Sequence, residues 1–446
     1  MIPTDRRLIR GHVLALRSDP FAGDPEAALL DLPRGGVLIA GGRIAEVGDG
    51  AALARAHPDA AEEDMGDALI LPAFVDCHVH YPQTAIVASW GARLIDWLNR
   101  YTFPEELRFA DPAYARAQAE RFLDLILAEG TASACVYATV HASSAEAIFA
   151  AAEARGLRLA AGKVLMDRNA PEGLTDDPET GAAESDALAA RWHGRGRLSY
   201  AISPRFAPTS TREQLAAAGA LWRARPDCLM QTHLSEQPEE IAWVRELFPE
   251  AEDYLAVYEA AGLAGPGAIM GHAIHLSERE RAALAATGSA VAHCPTSNLF
   301  IGSGLCDVAG LAEAGVAVGL ATDIGGGSSF SMLATMRAAY EVSQLRGRPL
   351  HPAQLLWLAS EGSARAMRLG GVIGTLAEGA EADLVALEPG AIPALAQRAA
   401  RAESAAELLF ALQMLGDSRC VRAVWSAGRR VHDRHAPRPP VLDPDA

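Results

Sequence analysis

Two histidines spaced two residues apart, His78 and His80, close the apolar run Phe74-Val-Asp-Cys-His-Val-His80. On a strand, side chains at i and i+2 share a face. Both imidazoles and Asp76 should therefore project together, with Val75, Cys77 and Val79 pointing to the other side, toward packing helices. Buried imidazoles need partners, and a divalent transition metal is a partner that suits two of them. His233 ends a second apolar run in Gln231-Thr-His-Leu-Ser-Glu236, with Glu236 three positions on and within reach of the same cavity. Asp323 ends a third in Gly319-Leu-Ala-Thr-Asp323, just before Gly325-Gly-Gly327. That glycine run reads as a sharp turn letting Asp323 and a substrate approach the backbone. Singly, His233 reads as a satisfied structural histidine and Asp323 as a turn or cap residue. Together His78, His80, His233 and Asp323 offer an N/N/N/O ligand set. His272, closing Met270-Gly-His272, could polarise a hydroxide on that metal. His141 and His293 read as strand-end structural or supporting residues, and His275 as a surface residue.

Other chemistries fail on the string. It holds no H-E-x-x-H, no G-x-S-x-G elbow, no Walker A and no G-x-G-x-x-G. No His is followed at +2 by Glu, and no Pro-Cys-x-x-Cys occurs, so the cytidine-deaminase type of zinc site is absent.

The elements that must position these groups alternate. Apolar runs at 69–75, 132–140, 157–165, 198–206, 228–233, 268–271, 290–294 and 316–321 are separated by helical stretches rich in Ala, Leu and Glu. Ser143-Ser-Ala-Glu146 and Ser277-Glu-Arg-Glu280 read as capping boxes, and Thr211-Arg-Glu-Gln214 as the Gln version. Strand then helix, about eight times, is the pattern of a TIM (β/α)8 barrel. Helix-to-strand returns are short, whereas Tyr81–Pro104, Met166–Gly181 and Asp323–Ser329 are long strand-to-helix connections. In a barrel these open on the catalytic face. The flanks differ: short β runs at 11–16, 36–40 and 43–47, with a Gly41–Gly42 hairpin turn, return in kind at 383–387 and 421–426. We expect residues 1–70 and 370–446 to build a composite small β-sandwich domain beside a barrel at 71–369.

Composition bounds the partners. The 446 residues are 50% hydrophobic and 21% charged, enough for a large core. The net charge of −17 opposes nucleic-acid binding. No apolar run approaches the ~18 residues of a membrane span, and the residues after Met1 lack a secretion-signal core. Six scattered cysteines read as reduced thiols of a cytoplasmic protein.

This arrangement, with His-x-His after strand one, His after strands five and six, and Asp after strand eight, resembles the amidohydrolase superfamily. Its binuclear members bridge two metals with a modified lysine. The only lysine here, Lys163, falls on the third strand, so the resemblance implies one Zn2+ per chain, with Fe2+ and Mn2+ sharing the ligand set. Within the superfamily, the segments Pro72-Ala-Phe-Val-Asp-Cys-His-Val-His-Tyr-Pro-Gln83, Trp97-Leu-Asn-Arg-Tyr-Thr-Phe-Pro104, Met166-Asp-Arg-Asn-Ala-Pro171, Ser203-Pro-Arg-Phe-Ala-Pro-Thr-Ser210 and His293-Cys-Pro-Thr-Ser-Asn298 resemble the guanine deaminase family. Ala73, Cys77 and Ala273 depart from the usual Gly, Thr and Cys, and none is a proposed ligand.

The resemblance implies hydrolytic deamination of guanine to xanthine and ammonia, in purine catabolism, by a homodimer. Asp323 and His272 would orient or deprotonate water, and Glu236 would protonate the ring nitrogen beside C2 and then help ammonia leave. Gln83, Arg205 and Phe206 would bind the base edge. Asp167, Arg168 and Asn169 would brace the third loop or close the site in a dimer. The alternatives are a deaminase of 8-oxoguanine, adenine or a triazine, an amide-ring hydrolase, and a catalytically silent scaffold with this fold.

Overall fold

The computed structural model describes residues 6–91 and 93–436. The stretch Met1–Asp5 and the end of the C-terminal flank, 437–446, lie outside the described residues.

Strands β1 (Arg6–Leu16), β2 (Leu29–Ala40) and β3 (Arg43–Asp49) form an antiparallel run at the start of the chain. The β2–β3 turn needs two left-handed residues, which Gly41 (φ 57°) and Gly42 (φ 76°) supply. Strand β4 (Ala61–Pro72) lies parallel to β1 and antiparallel to β14 (Leu384–Leu387). β15 (Val421–Ser426) and β16 (Arg429–Asp433) complete one seven-stranded sheet, ordered β16-β15-β14-β4-β1-β2-β3. Both ends of the chain thus contribute to a single sheet, with Ile9, Val37, Ile70, Leu384 and Trp425 in one buried cluster.

The barrel begins one residue after β4. Sequence reading takes Leu69–Val75 as one run, but the chain changes partners at Ala73. Its N–H bonds Asp383 O at 3.0 Å, and Phe74 N–H bonds Gly130 O at 3.1 Å. From there β5 (Phe74–His80), β6 (Thr131–Tyr137), β7 (Arg158–Gly162), β9 (Leu198–Pro204), β10 (Leu229–Leu234), β11 (Ala268–His272), β12 (Ala290–His293) and β13 (Val318–Leu320) pair in parallel, in that order. The short β8 (Val164–Leu165) pairs β9. Asp323 N–H donates to His78 O at 3.0 Å and His80 N–H to Ile324 O at 2.8 Å, bringing the last strand against the first. This is the α/β barrel expected from the repeating pattern. Lys163 interrupts the third barrel position between β7 and β8, with its buried ammonium on Asp176 and 3.3 Å from Glu184.

Two local expectations change. Val75 and Cys77 do not face the outer helices. They cluster with Cys135, Ala160, Ala201, Leu229 and Ile269, residues of successive strands that can meet only inside the barrel. The β5–β6 register shifts between Asp76 and Val79, so strict alternation fails there. The helix Ala142–Arg155 starts after His141, ahead of the expected Ser143 cap. Ser277 forms the capping box with Glu280 as read. Thr211 accepts from Gln214 N–H, but the Gln214 side chain turns to Asp176 instead of completing the box.

Candidate active site

The C-terminal ends of β5, β10, β11 and the turn after β13 deliver His78, His80, His233, His272 and Asp323 to one point. His78 Nε2 lies 3.3 Å and His80 Nε2 3.4 Å from Asp323 Oδ1, and His80 Nε2 lies 3.2 Å from His233 Nε2. His78, His233, His272 and Asp323 can each offer one ligand atom with all four within 4.8 Å of one another. His272 Nε2 sits 3.4 Å from Glu236 Oε2 and 3.8 Å from Asp323 Oδ2. Asp76, expected beside the histidines, instead braces the barrel seam. Its carboxylate accepts from Thr322 Oγ1 and, at 3.2 Å, from Thr322 N, and burial pushes its pKa up to about 7.

Whether these groups suit a cation follows from where their lone pairs point. His233 Nδ1 lies 2.7 Å from Arg205 O and His272 Nδ1 2.8 Å from Asn298 Oδ1. Both partners only accept, so each Nδ1 carries the proton and each Nε2 turns a lone pair to the cluster. Both ring nitrogens of buried His78, and Nδ1 of His80, lack a hydrogen-bond partner. Facing lone pairs repel unless a cation lies between them. A tetrahedral shell with bonds of about 2.1 Å needs ligand atoms about 3.4 Å apart, close to the separations here. The space is also kept clear, since a Cβ on Gly271 would stand 2.6 Å from His78 Cε1. The donor set therefore fits a divalent metal.

Electrostatics follow from burial. It lowers the pKa values of His78, His80 and His233, keeping them neutral as ligands must be. For Asp323 burial works the other way, but the close approach of the His78 ring at 3.3 Å, with His272 and His80 beside it, outweighs it and holds the carboxyl ionised. Burial raises Glu236, against the pull of His272. Burial opposes charge on His272 too, but Glu236 and Asp323 overcome it and its pKa rises. Positive φ at Ser235 (49°), His272 (66°), Ala273 (47°) and Asp323 (48°) concentrates backbone strain at the residues that aim these groups.

A cavity of about 410 Å³, including its open mouth, adjoins the cluster, and His80, His233, His272 and Asp323 line it together with Gln83, Arg205, Phe206 and Glu236. Its apolar wall comes from Leu94, Trp97, Leu98 and Ile301. The residues read as binding groups therefore meet those read as catalytic in one cavity, of a size that takes a small molecule. Asp167, Arg168 and Asn169 do not line it. They tie the third loop to the segment after Arg205, through Thr211, Ala207 O and Pro208 O. His275 bonds Ser303 O near the surface, while His293 is buried with both ring nitrogens unpartnered.

Sequence reading missed four supporting residues. Ser303 Oγ donates to Glu236 Oε1 at 2.7 Å. Glu240 accepts from the backbone N–H groups of Glu236 and Gln237. Asn298 holds His272, and buried Glu106 holds both Gln83 and Arg205. Asn298 and Glu106 lay inside or just beyond segments already singled out, and only their side-chain pairing was hidden.

The sequence model of the amidohydrolase family matches residues 69–431, and that of the bacterial imidazolonepropionase-like composite domain matches 35–60. The guanine deaminase of Escherichia coli (strain K12) is 42% identical over 410 residues, covering 92% of this chain and 93% of the relative. The probable guanine deaminase of Deinococcus radiodurans is also 42% identical, over 96% and 99% of the two chains. The solved E. coli guanine deaminase superposes with a TM-score of 0.94 at 41% identity, covering 96% of this chain and all of that one. The C. acetobutylicum guanine deaminase, solved with guanine bound in its active site, superposes with a TM-score of 0.88 at 25% identity, covering 96% and 100%.

Proposed function

The chain belongs to the amidohydrolase family, and from that premise we propose that it is a guanine deaminase, a hydrolase converting guanine and water to xanthine and ammonia. The observation that carries this is one cavity lined both by the His/Asp cluster and by Gln83 and Arg205.

His78, His80, His233 and Asp323 would hold the metal, which when bound makes water acidic enough to serve as a nucleophile near neutrality. Asp323 and His272 orient the attacking water and take its proton. Glu236 would give its proton to the ring nitrogen beside C2, take up the proton of the hydroxyl added to C2 and pass that one to the departing amine. The proton held by Asp323 and His272 then restores the acid. Ser303 fixes Oε1 and leaves Oε2 toward His272. Gln83 and Arg205 present directed N–H donors to the base edge, and Phe206 walls it.

Zinc, one per chain, suits three imidazoles and a carboxylate. Six buried, unpaired thiols suit a cytoplasmic setting, and among the described residues no helix is long and apolar enough to cross a membrane. The family likeness supports a homodimer in purine catabolism. The same reading treats 1–70 with 370–446 as one composite β domain and 71–369 as the catalytic barrel.

The deciding experiment is ammonia release from guanine, 8-oxoguanine, adenine and cytosine, with metal analysis of the same sample. Guanine should be turned over fastest by protein carrying about one metal per chain. Preference for another ring, or inactivity in fully loaded protein, would overturn the reading.

A further inference from the structure

Glu106 lies in the short helix Phe103–Leu107, wholly buried and behind the cavity wall. Both residues proposed to hold the base edge nevertheless end on it. Arg205 Nη1 donates to the two carboxylate oxygens of Glu106 at 2.8 and 3.0 Å. Gln83 Nε2 donates to Oε1 at 3.1 Å, while Gln83 Oε1 accepts from Gly325 N at 2.9 Å. The Gln83 amide is therefore fixed in one sense, nitrogen to the carboxylate and oxygen to the backbone. Nη1 of Arg205 is committed to Glu106, which leaves Nε and Nη2 for a ligand. Arg205 is 3% exposed, with the Phe103 ring centroid 5.8 Å from its Cζ. Without Glu106 it would be a buried guanidinium with no carboxylate bonded to it, a costly state that any anion would relieve.

We propose that Glu106 is a positioning residue that makes Gln83 and Arg205 a single, charge-neutral recognition edge, selective for the uncharged base over an oxopurine anion. The proposal rests on reading the cavity as a guanine site. Guanine is uncharged at neutral pH. Xanthine, in which a ring carbonyl has replaced the amidine, loses a ring proton far more readily. An uncompensated guanidinium would trap that anion, whereas one already paired to a carboxylate offers directed hydrogen bonds without net charge. Glu106 thereby keeps the edge from holding the product.

The test compares metal-loaded wild type with Glu106→Gln and Glu106→Asp. It reads KM and kcat for guanine, and competitive inhibition by xanthine below and above the pH at which xanthine ionises. Glu106→Gln removes the charge at constant length, and Glu106→Asp keeps the charge on a shorter arm. In Glu106→Gln, guanine KM should rise about tenfold with a smaller change in kcat. Its inhibition by the xanthine anion, relative to neutral xanthine, should strengthen about tenfold over wild type. Glu106→Asp should also raise KM but keep the wild-type ratio. A wild-type ratio in Glu106→Gln, or a strengthened one in Glu106→Asp, overturns the proposal. Should Glu106→Gln fail to fold, Glu106→Asp and wild type still decide, because wild-type inhibition that tightens as xanthine ionises overturns it as well. Wild type that releases no ammonia from guanine removes the functional reading instead, and is seen before any variant is compared.

Discussion

At the scale of single residues, the site depends on which atom of each side chain faces the cavity. Arg205 O and Asn298 Oδ1 take the Nδ1 protons of His233 and His272, so both Nε2 lone pairs turn inward. Glu236 sits among these groups, held by Ser303 on one oxygen. Glu236→Gln keeps the volume and the Ser303 contact but cannot shuttle a proton. It should retain the metal and lose at least about 100-fold in kcat; near-normal turnover would remove Glu236 from the proton path. Arg205→Ala removes the guanidinium donors without touching the cluster's side chains. We expect KM for guanine to rise by about 100-fold with metal content unchanged, measured by steady-state kinetics and elemental analysis.

At the scale of elements, the turns ending the barrel strands set the geometry. Gly327 admits no side chain, since its Cβ would lie 1.8 Å from Thr322 O, and Gly326 packs against Ser297 and Ile301. The glycine run thus has the close-approach role its sequence suggests. Gly271, one residue before His272, is less conspicuous in the sequence and as constrained. Gly271→Ala would push a methyl into the His78 ring. Metal affinity should fall roughly 10- to 100-fold, read by competition with a chelator, while the far-ultraviolet circular dichroism stays that of the wild type.

At the scale of the molecule, the flanking sheet and the bottom of the barrel are joined by charges. Arg197 donates to Glu381 (2.6 Å), Asp383 (2.5 Å) and Ser426 (2.6 Å), and Arg158 also pairs Glu381. Breaking such a buried pair leaves unpaired charge, so Arg197→Met should cost about 3 kcal/mol at neutral pH by thermal or denaturant unfolding. Burial works to raise the Glu381 pKa, but the bond from Arg158 and the charge of Arg197 outweigh it and hold it below the usual 4.5. A carboxyl lowered in the folded state binds fewer protons there than in the unfolded chain. Its stabilisation is therefore complete above pH 4.5 and drains away as the pH falls through the folded value. The gap between wild type and Arg197→Met should narrow on acidification across that window. A gap that widened instead would show that the network is not what joins the two parts. A metal held only by the folded chain stabilises it by an amount that grows with the logarithm of its concentration over Kd. Stripping it with a chelator should therefore lower Tm, and adding it back should restore Tm.

The repeating strand–helix pattern, the long loops on one face and the histidines and acids at strand ends were legible in the string because periodicity and position along an element are local properties. They sufficed for the barrel and for the strand-end histidines and acids that line the cavity, whereas Gln83, Arg205 and Phe206 were singled out through the family resemblance. Tertiary structure alone decided how those residues act on one another: that Glu106 holds Gln83 and Arg205, that Asn298 turns His272, and that Asp76 leaves the cluster to brace Thr322. A hydrogen bond between groups 99 residues apart, as from Arg205 to Glu106, leaves no spacing to read. A shift of register, as at Asp76–Val79, reverses facing without altering composition. Both depend on where the backbone brings two segments together, which is a property of the closed barrel and not of either segment.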